Sequence, residues 1–308
     1  MEDYPRTLAE FERRFDTEEA CRTYVAQLRW PAGFRCPRCG SDRRWLTKGG
    51  LIKCISCGYK VSVTAGTIFH RSHLPLMTWF RAMWWITNQK QGVSALGLKR
   101  LLGLGSYETA WACLQKLRRA MVRPGRDRLT GDVEVDETFI GGVEPGGGRR
   151  HLGNKALVVI AAQVDGKGIG RIRMRRIPDA SAESLISFVQ EAVEPGSVII
   201  TDGWEAYGML KKKGYTHRPR VISGSRKTAS TLLPRIHRVA SLVKRWLLGT
   251  HQGRVSRKHL DYYLDEYTFR FNRRKSMHRG KLFYRLVEQA AAVGPAPFGN
   301  LVAGSDHY

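Results

Sequence analysis

The sequence predicts a mixed α/β (α+β) fold preceded by a small metal-bound ribbon and a helical region. Three observations lead there. Two Cys-x-x-Cys pairs lie close together near the N-terminus, helical periodicity dominates from residue 75 to residue 122, and from residue 132 the pattern changes to apolar strands, two of which deliver carboxylates.

Taken in order, residues 16–29 read as a helix: Asp16 or Thr17 caps it, Glu18 and Glu19 suit its first turn, and Ala20, Tyr24 and Leu28 form an apolar face. Trp30-Pro31 ends it. Residues 34–63 hold the cysteine pairs, and residues 75–90 read as an aromatic-rich helix through Met77, Phe80, Met83, Trp84 and Ile86. Residues 93–122 split into two helical runs at Gly103-Leu104-Gly105-Ser106, with Ser106 the N-cap of the second. Pro124-Gly125 looks like a linker and Gly146-Gly147-Gly148-Arg149-Arg150 like a basic flexible loop. Strands are expected at 132–140, 156–164 and 169–177, with a hairpin at Asp165-Gly166-Lys167-Gly168. A helix at 181–193 opened by Ser181, a strand at 197–201, an irregular basic stretch and helices near 234–248 and 256–271 complete the pattern. The order β-β-β-α-β-α is that of a ribonuclease-H-like fold. The expected domains are an N-terminal helical segment (1–33), a ribbon (34–66), a helical region (67–125), the α/β domain (126–290) and a tail (291–308).

Lys and Arg number 52 against 27 acids, a net charge of +25, in a chain of 308 residues. A protein this basic is expected to meet a polyanion, nucleic acid first. The hydrophobic content of 42% supports a sizeable core and argues against global disorder. No apolar run reaches the roughly 18–20 residues that span a bilayer, and the acidic start Met1-Glu2-Asp3 lacks a signal-peptide core, so a cytoplasmic location without membrane contact is expected.

Cys36, Cys39, Cys54 and Cys57 form two knuckles, each followed by glycine. Four thiolates close a tetrahedral sphere, so the expected ion is a structural Zn²⁺ with no open position. Cys21 and Cys113 fall in helical patterns and read as buried small hydrophobes. His70 and His73 are near, but four cysteines already suffice. The paired helices of 93–122 have the length and break of a helix-turn-helix, and Lys116, Arg118, Arg119 and Arg123 on the second would lie against DNA.

The strand 132–140 carries Asp136, and the strand 197–201 delivers Asp202. Carboxylates at the ends of neighbouring strands suit Mg²⁺ or Mn²⁺, which prefer oxygen, and two such ions can serve phosphodiester chemistry. Glu134 shares the Asp136 side of its strand by alternation and Glu137 does not, so Glu134 is the one expected to assist.

At this point the chain resembles a family. The residues are Phe34-Arg35-Cys36-Pro37-Arg38-Cys39-Gly40, Val135-Asp136-Glu137-Thr138-Phe139-Ile140-Gly141-Gly142, Thr201-Asp202-Gly203-Trp204-Glu205-Ala206-Tyr207, Leu247-Leu248-Gly249-Thr250-His251-Gln252-Gly253 and Leu264-Asp265-Glu266-Tyr267-Thr268-Phe269-Arg270-Phe271-Asn272-Arg273-Arg274. Together they are similar to the zinc-ribbon DDE transposases of the insertion-sequence-1595 (ISXO-like) family, from about residue 10 to about 290. The resemblance implies a ribonuclease-H-like core that nicks DNA at terminal inverted repeats and joins the 3′-hydroxyl to target DNA. It further implies repeat recognition by the ribbon and residues 93–122, and a homodimer or higher oligomer on DNA.

Residue by residue, Asp136 matches the first catalytic Asp and Asp202 the second. The third position falls on the helix around 236–245, where many relatives carry Glu and this chain carries His237; Lys244 stands at the basic position seven residues on, on the same helical face. Three assignments stay open: His237 is a true third ligand, better suited to Mn²⁺ than Mg²⁺; Glu266 or the two aspartates alone serve; or this copy is a catalytically damaged or domesticated DNA-binding relative. A nuclease or resolvase with the same core is a further rival. Lys244 is expected to contact a DNA phosphate or terminal base. The basic stretches 208–228 and 270–285, interleaved with Tyr215, Phe269, Phe271, Phe283 and Tyr284, read as a surface tracking a nucleic-acid backbone. Trp204 and Trp246 are expected in the core.

Overall fold

The computed structural model describes residues 2–123, 125–141, 155–220, 229–253 and 255–304. The glycine-arginine loop at 146–150 and the basic residues Arg226 and Lys227 lie outside them. The chain forms two compact units, Met1–Arg123 with Ser276–Ala303, and Pro124–Lys275 with Gly304–Tyr308.

The first unit holds α1 (Leu8–Arg14), α2 (Glu18–Arg29), a three-stranded antiparallel ribbon β1 (Arg44–Leu46), β2 (Ile52–Cys54) and β3 (Lys60–Val61), then α3 (Leu76–Asn88), α4 (Ala95–Leu102) and α5 (Tyr107–Ala120). Local chemistry sets the boundaries. Thr17 and Ser106 accept from the N–H three residues on, at Ala20 and Thr109, and Gly103 ends α4 in the left-handed region at φ 62°.

The unit closes through a helix the sequence reading assigned elsewhere. α10 (Arg279–Ala292) brings Phe283, fully buried, against Phe11, Phe15, Phe80 and Trp84 at ring distances of 5.3–5.7 Å. The boundary expected at residue 290 therefore gives way to one near 275, because α10 shares the aromatic core of α1 and α3. α11 (Phe298–Ala303) packs on α5. These partners also change the helix-turn-helix expectation. Arg118 is 1% exposed beside Gln115, so it does not face outward as a DNA contact, while the partly exposed Arg119 donates to the Pro295 carbonyl.

The second unit is a five-stranded sheet of β4 (Asp132–Ile140), β5 (Ala156–Asp165), β6 (Gly168–Ile177), β7 (Val198–Thr201) and β8 (Thr216–Pro219), in the order β6-β5-β4-β7-β8. β4, β5 and β6 are antiparallel, while β7 and β8 add in parallel. The mixed α/β architecture and its ribonuclease-H-like strand order are as the sequence predicts. The short β8 lay hidden in the basic stretch, since Thr-His-Arg-Pro has no apolar alternation for a sequence reading to find.

α6 (Ala182–Ala192), capped by Ser181, and a 3-10 helix Glu205–Lys213 cover one sheet face over a core including Val133, Val135, Leu185, Val189, Ile199 and Tyr207. After the short α7 (Ala229–Leu232), α8 (Pro234–His251) lies over β4 and β5, and α9 (Leu260–Asn272) packs on β6. Alternation along β4 assigns the two sides: Val133 and Val135 face α6, and Glu134 and Thr138 face α8.

Trp246 is buried as expected, but Trp204 is 48% exposed. Tyr215, Phe269, Phe271 and Phe283 are buried, so they are packing residues and not a DNA-stacking surface. Arg273 and Arg274 lie over the Phe269 and Phe271 rings at 3.9 and 4.0 Å. No helix among the described residues is long and apolar enough to cross a membrane.

Candidate active site and metal centres

The four-cysteine cluster is shaped by two tight turns. The Cys36 and Cys54 carbonyls accept from the N–H of Gly40 at 2.8 Å and of Gly58 at 3.0 Å. Both glycines sit at positive φ, 72° and 70°, where a side chain would be strained. The turns gather all four sulfurs within 4.8 Å of one another. Burial works against charge on the Cys54 sulfur, but the Cys57 and Ser56 N–H groups and the Cys39 thiol more than offset it and bring the group down to about 6. Converging sulfurs with donors already aimed at them fit a closed tetrahedral Zn²⁺. His70 is occupied otherwise, accepting from the Gly66 N–H at 3.2 Å.

The carboxylates meet because β4 and β7 are parallel neighbours, with Glu134 opposite Ile200. Two residues further along both strands, Asp136 and Asp202 come level on one face. Asp136 is half-buried and is pushed up to about 7, by burial first and then by the charges of Glu137 and Asp202. Asp202 is exposed at the strand exit, where its Oδ1 accepts from the Trp204 N–H at 2.9 Å. Beneath it the buried Thr201 hydroxyl accepts from the Gly203 N–H at 3.1 Å and bonds His217 Nε2 at 2.9 Å. Gly203 turns the chain at φ 92°. Burial also holds His217 below the ordinary imidazole range, with Lys211 adding to the effect, which favours its neutral form.

Glu137 joins this group, which alternation alone did not suggest. It points toward α6, and there the fully buried Tyr207 hydroxyl donates to its Oε2 at 3.1 Å. Burial raises the Glu137 carboxyl and the Asp202 charge raises it further, against the Tyr207 bond. The sequence signal was available in the Asp202-x-x-x-x-Tyr207 spacing, which brings an aromatic hydroxyl back under the strand ends. Among the described residues, no Lys or Arg pairs with Asp136, Glu137 or Asp202. In a chain of net charge +25, Asp136 and Asp202 without a cationic partner among the described residues suit hard divalent ions by ligand type, but neither with Glu137 nor with His237 do they form a group of three donors within 4.8 Å.

Glu134 does something else. It is fully buried, its Oε2 accepts from the Arg235 and Ile236 N–H groups at 2.9 and 3.2 Å, and its Oε1 pairs with the Arg235 guanidinium at 2.9 Å. It thus fixes the N-terminus of α8 on β4 and is not placed to assist the aspartates. Lys244 Nζ donates to Thr138 Oγ1 at 2.8 Å. Glu134 to Thr138 is about 13 Å of strand, and Arg235 to Lys244 is about 13.5 Å of helix, so α8 runs alongside β4. The level of Asp136 then falls between His237 and Lys244, one turn to either side. Burial lowers the Lys244 ammonium from its usual range, and Lys155 adds to the effect.

His237 Nε2 is buried without a hydrogen-bond partner. It is not gathered with the carboxylates: among the described residues, the cysteine cluster is the one group of three or more metal donors within 4.8 Å. Glu266 is fully buried, pairs with Arg270 at 3.2 Å, and sits on α9 over β6, two strands from β4.

Comparison with known proteins gives two domain matches. Residues 128–272 match the ISXO2-like transposase domain, and residues 16–60 match the transposase zinc-ribbon domain. A Halobacterium salinarum protein described as an uncharacterized protein in transposable element ISH50 is 24% identical over 281 residues, covering 84% of this chain and 92% of that protein. Among solved structures, the Mos1 strand transfer complex aligns at 12% identity over 69% of this chain and 75% of that one, with a TM-score of 0.30. The Mos1 transposase paired-end complex with left transposon end aligns at 14% over 69% and 75%, with a TM-score of 0.31. Scores this low carry no argument of their own. The two domain matches fall where the cysteine knuckles and the paired aspartates stand, and the chain belongs to the zinc-ribbon DDE transposases of the insertion-sequence-1595 (ISXO2-like) family.

Proposed function

We propose that this transposase moves an insertion element of a bacterium or archaeon, binding its terminal inverted repeats and catalysing DNA strand cleavage and strand transfer. The observation that carries the reading is the approach of Asp136, in the middle of β4, to Asp202, at the exit of the parallel neighbour β7, without a cationic partner among the described residues. Asp136 and Asp202 would hold Mg²⁺ or Mn²⁺, with His237 the third ligand once its ring and the carboxylates draw together on DNA. When bound, the divalent ions supply Lewis-acid stabilisation of the attacking and leaving oxygens.

The protein's own groups do the rest. Glu134 clamps α8 against β4, and Lys244, held on Thr138 two residues beyond Asp136, would neutralise a DNA phosphate there. The Tyr207 bond holds Glu137 on the α6 side and sets the spacing of the two strand ends. Cys36, Cys39, Cys54 and Cys57 bind a structural Zn²⁺ that gives the ribbon its shape for DNA. Pairing of two element ends implies a homodimer or higher oligomer on DNA, acting in the cytoplasm.

The separation of His237 from the aspartates favours a second reading, a relative that binds DNA without cutting it. Strand transfer of a labelled pre-cleaved element end into plasmid, with Mg²⁺ and Mn²⁺ in parallel, decides between the two. Joined product from wild type, lost in Asp136→Ala and His237→Ala, supports the transposase with His237 as ligand. Product lost only in Asp136→Ala moves the third ligand elsewhere. DNA binding without product under either metal supports the second reading.

A further inference from the structure

The sequence placed Trp204 in the core, and the structure exposes it beside Asp202. Trp204 is 48% exposed and Phe139, near the end of β4, is 45% exposed. Both belong to the α6 side of the strand ends. Phe139 shares the alternation of Glu137, which meets Tyr207 there, and the Trp204 indole N–H reaches the Ala180 carbonyl at 3.4 Å just before α6. Single exposed apolar residues are ordinary. Here two exposed aromatics lie within three residues of Asp136 and Asp202 in the chain, and the backbone of one is tied to the site, since the Trp204 backbone N–H donates to Asp202 Oδ1 at 2.9 Å.

Resting on the transposase reading above, we propose that Trp204, with Phe139 near the end of β4, is a stacking platform for one unstacked nucleobase of the element end. Charge and reach select this occupant. Lys244 and Lys155 lie on the other side of the carboxylates, so a DNA strand whose phosphate sits at Asp136 and Asp202 has its backbone neutralised there. Trp204 follows Asp202 through the Gly203 turn closed on Asp202 Oδ1, so at most about 7 Å of chain separates them, within roughly two nucleotide steps at about 3.4 Å each. Trp204 therefore meets the first or second base from the reacting phosphate. An interior paired base offers only its edge, because both its faces are covered in the duplex, and the terminal pair of a cleaved end uncovers one face only. The indole gains a full face when the base leaves the stack, and base–aromatic stacking of this kind is tolerant of sequence.

The test uses the full-length protein with its zinc, and pre-cleaved element ends that are paired or carry an abasic site at the first or second position. Trp204→Ala is expected to lose strand transfer on the order of tenfold on paired ends. On the abasic end the loss shrinks to about twofold or less, because no base remains to be held. Trp204→Phe retains most activity. A 5-iodouracil at the same position is expected to photo-crosslink to Trp204, a readout that needs no catalysis. Equal loss on every end, or no loss with no crosslink, overturns the platform while leaving the transposase standing. A crosslink at Trp204 with no joined product from wild type keeps the platform and overturns the catalytic reading.

Discussion

Replacing Asp136 with Asn should stabilise the protein while removing its chemistry. Asp136 sits beside Glu137 and Asp202 and is pushed from an ordinary 3.8 to about 7, so holding it ionised costs folding free energy. At about 1.4 kcal/mol per pH unit, the upper limit is about 4 kcal/mol at pH 8; relaxation and water entry bring the expected gain to about 1–2 kcal/mol. Asn keeps an oxygen to accept the Glu137 N–H, the 2.9 Å bond that Asp136 Oδ1 now makes. The sign follows from a folded-state value raised above the unfolded one. The wild type loses stability as pH rises from about 4 to about 7 and is flat above. The Asp136→Asn advantage is therefore absent at pH 4 and complete at pH 8, where Tm rises by roughly 2–8 °C. Thermal melts at both pH values, free of Mg²⁺ and Mn²⁺ but with zinc retained, measure this. Adding Mn²⁺ at pH 8 should raise the Tm of wild type and not of Asp136→Asn. A variant less stable than wild type at pH 8, or a gain equal at pH 4 and pH 8, would refute the reasoning.

Glu134→Ala should destabilise the catalytic unit by about 3 kcal/mol in urea titration, because it strands the Arg235 guanidinium and two N–H groups at the start of α8; a loss under 1 kcal/mol would deny its clamping role. Cys54→Ser should lower the bound zinc measured by metal analysis to well below one ion per chain and melt the ribbon first, leaving the sheet's circular dichroism in place. Lys244→Ala should weaken element-end binding several-fold and lower the salt slope of the binding constant by about one, whereas Lys244→Arg restores most of it; an unchanged slope would place Lys244 off the phosphate path. Tyr207→Phe should cost about 1 kcal/mol of stability and reduce strand transfer more with Mg²⁺ than with Mn²⁺, the ion less demanding of geometry; equal loss with both metals would make the hydroxyl structural only.

Much of this protein is written in short-range chemistry, and the sequence determined it alone. Cys-x-x-Cys spacing with glycine behind each pair permits one compact turn, so Cys36, Cys39, Cys54 and Cys57 converge as read. Caps such as Ser106 and Ser181, and the hairpin at Gly166, act within a few residues and set element ends correctly. The strand pattern gave the sheet, because central β5 is buried on both faces and hence apolar along most of its length, while β4 keeps apolar residues on its α6 face. Tertiary structure decided what depends on partners far apart in the chain. α10 carries a basic, aromatic sequence that suits a DNA surface, yet Phe283 finds the aromatic cluster of α1 and α3. Alternation put Glu134 with Asp136 and set Glu137 apart. The packing of α8 claimed Glu134 through Arg235, and Tyr207, seventy positions from Glu137, drew that residue toward the site. Trp204 lies in an apolar-looking motif, but the turn at Gly203 carries it out of the core. Periodicity reports which face of an element is apolar; only the assembled fold supplies the partner that meets each polar side chain.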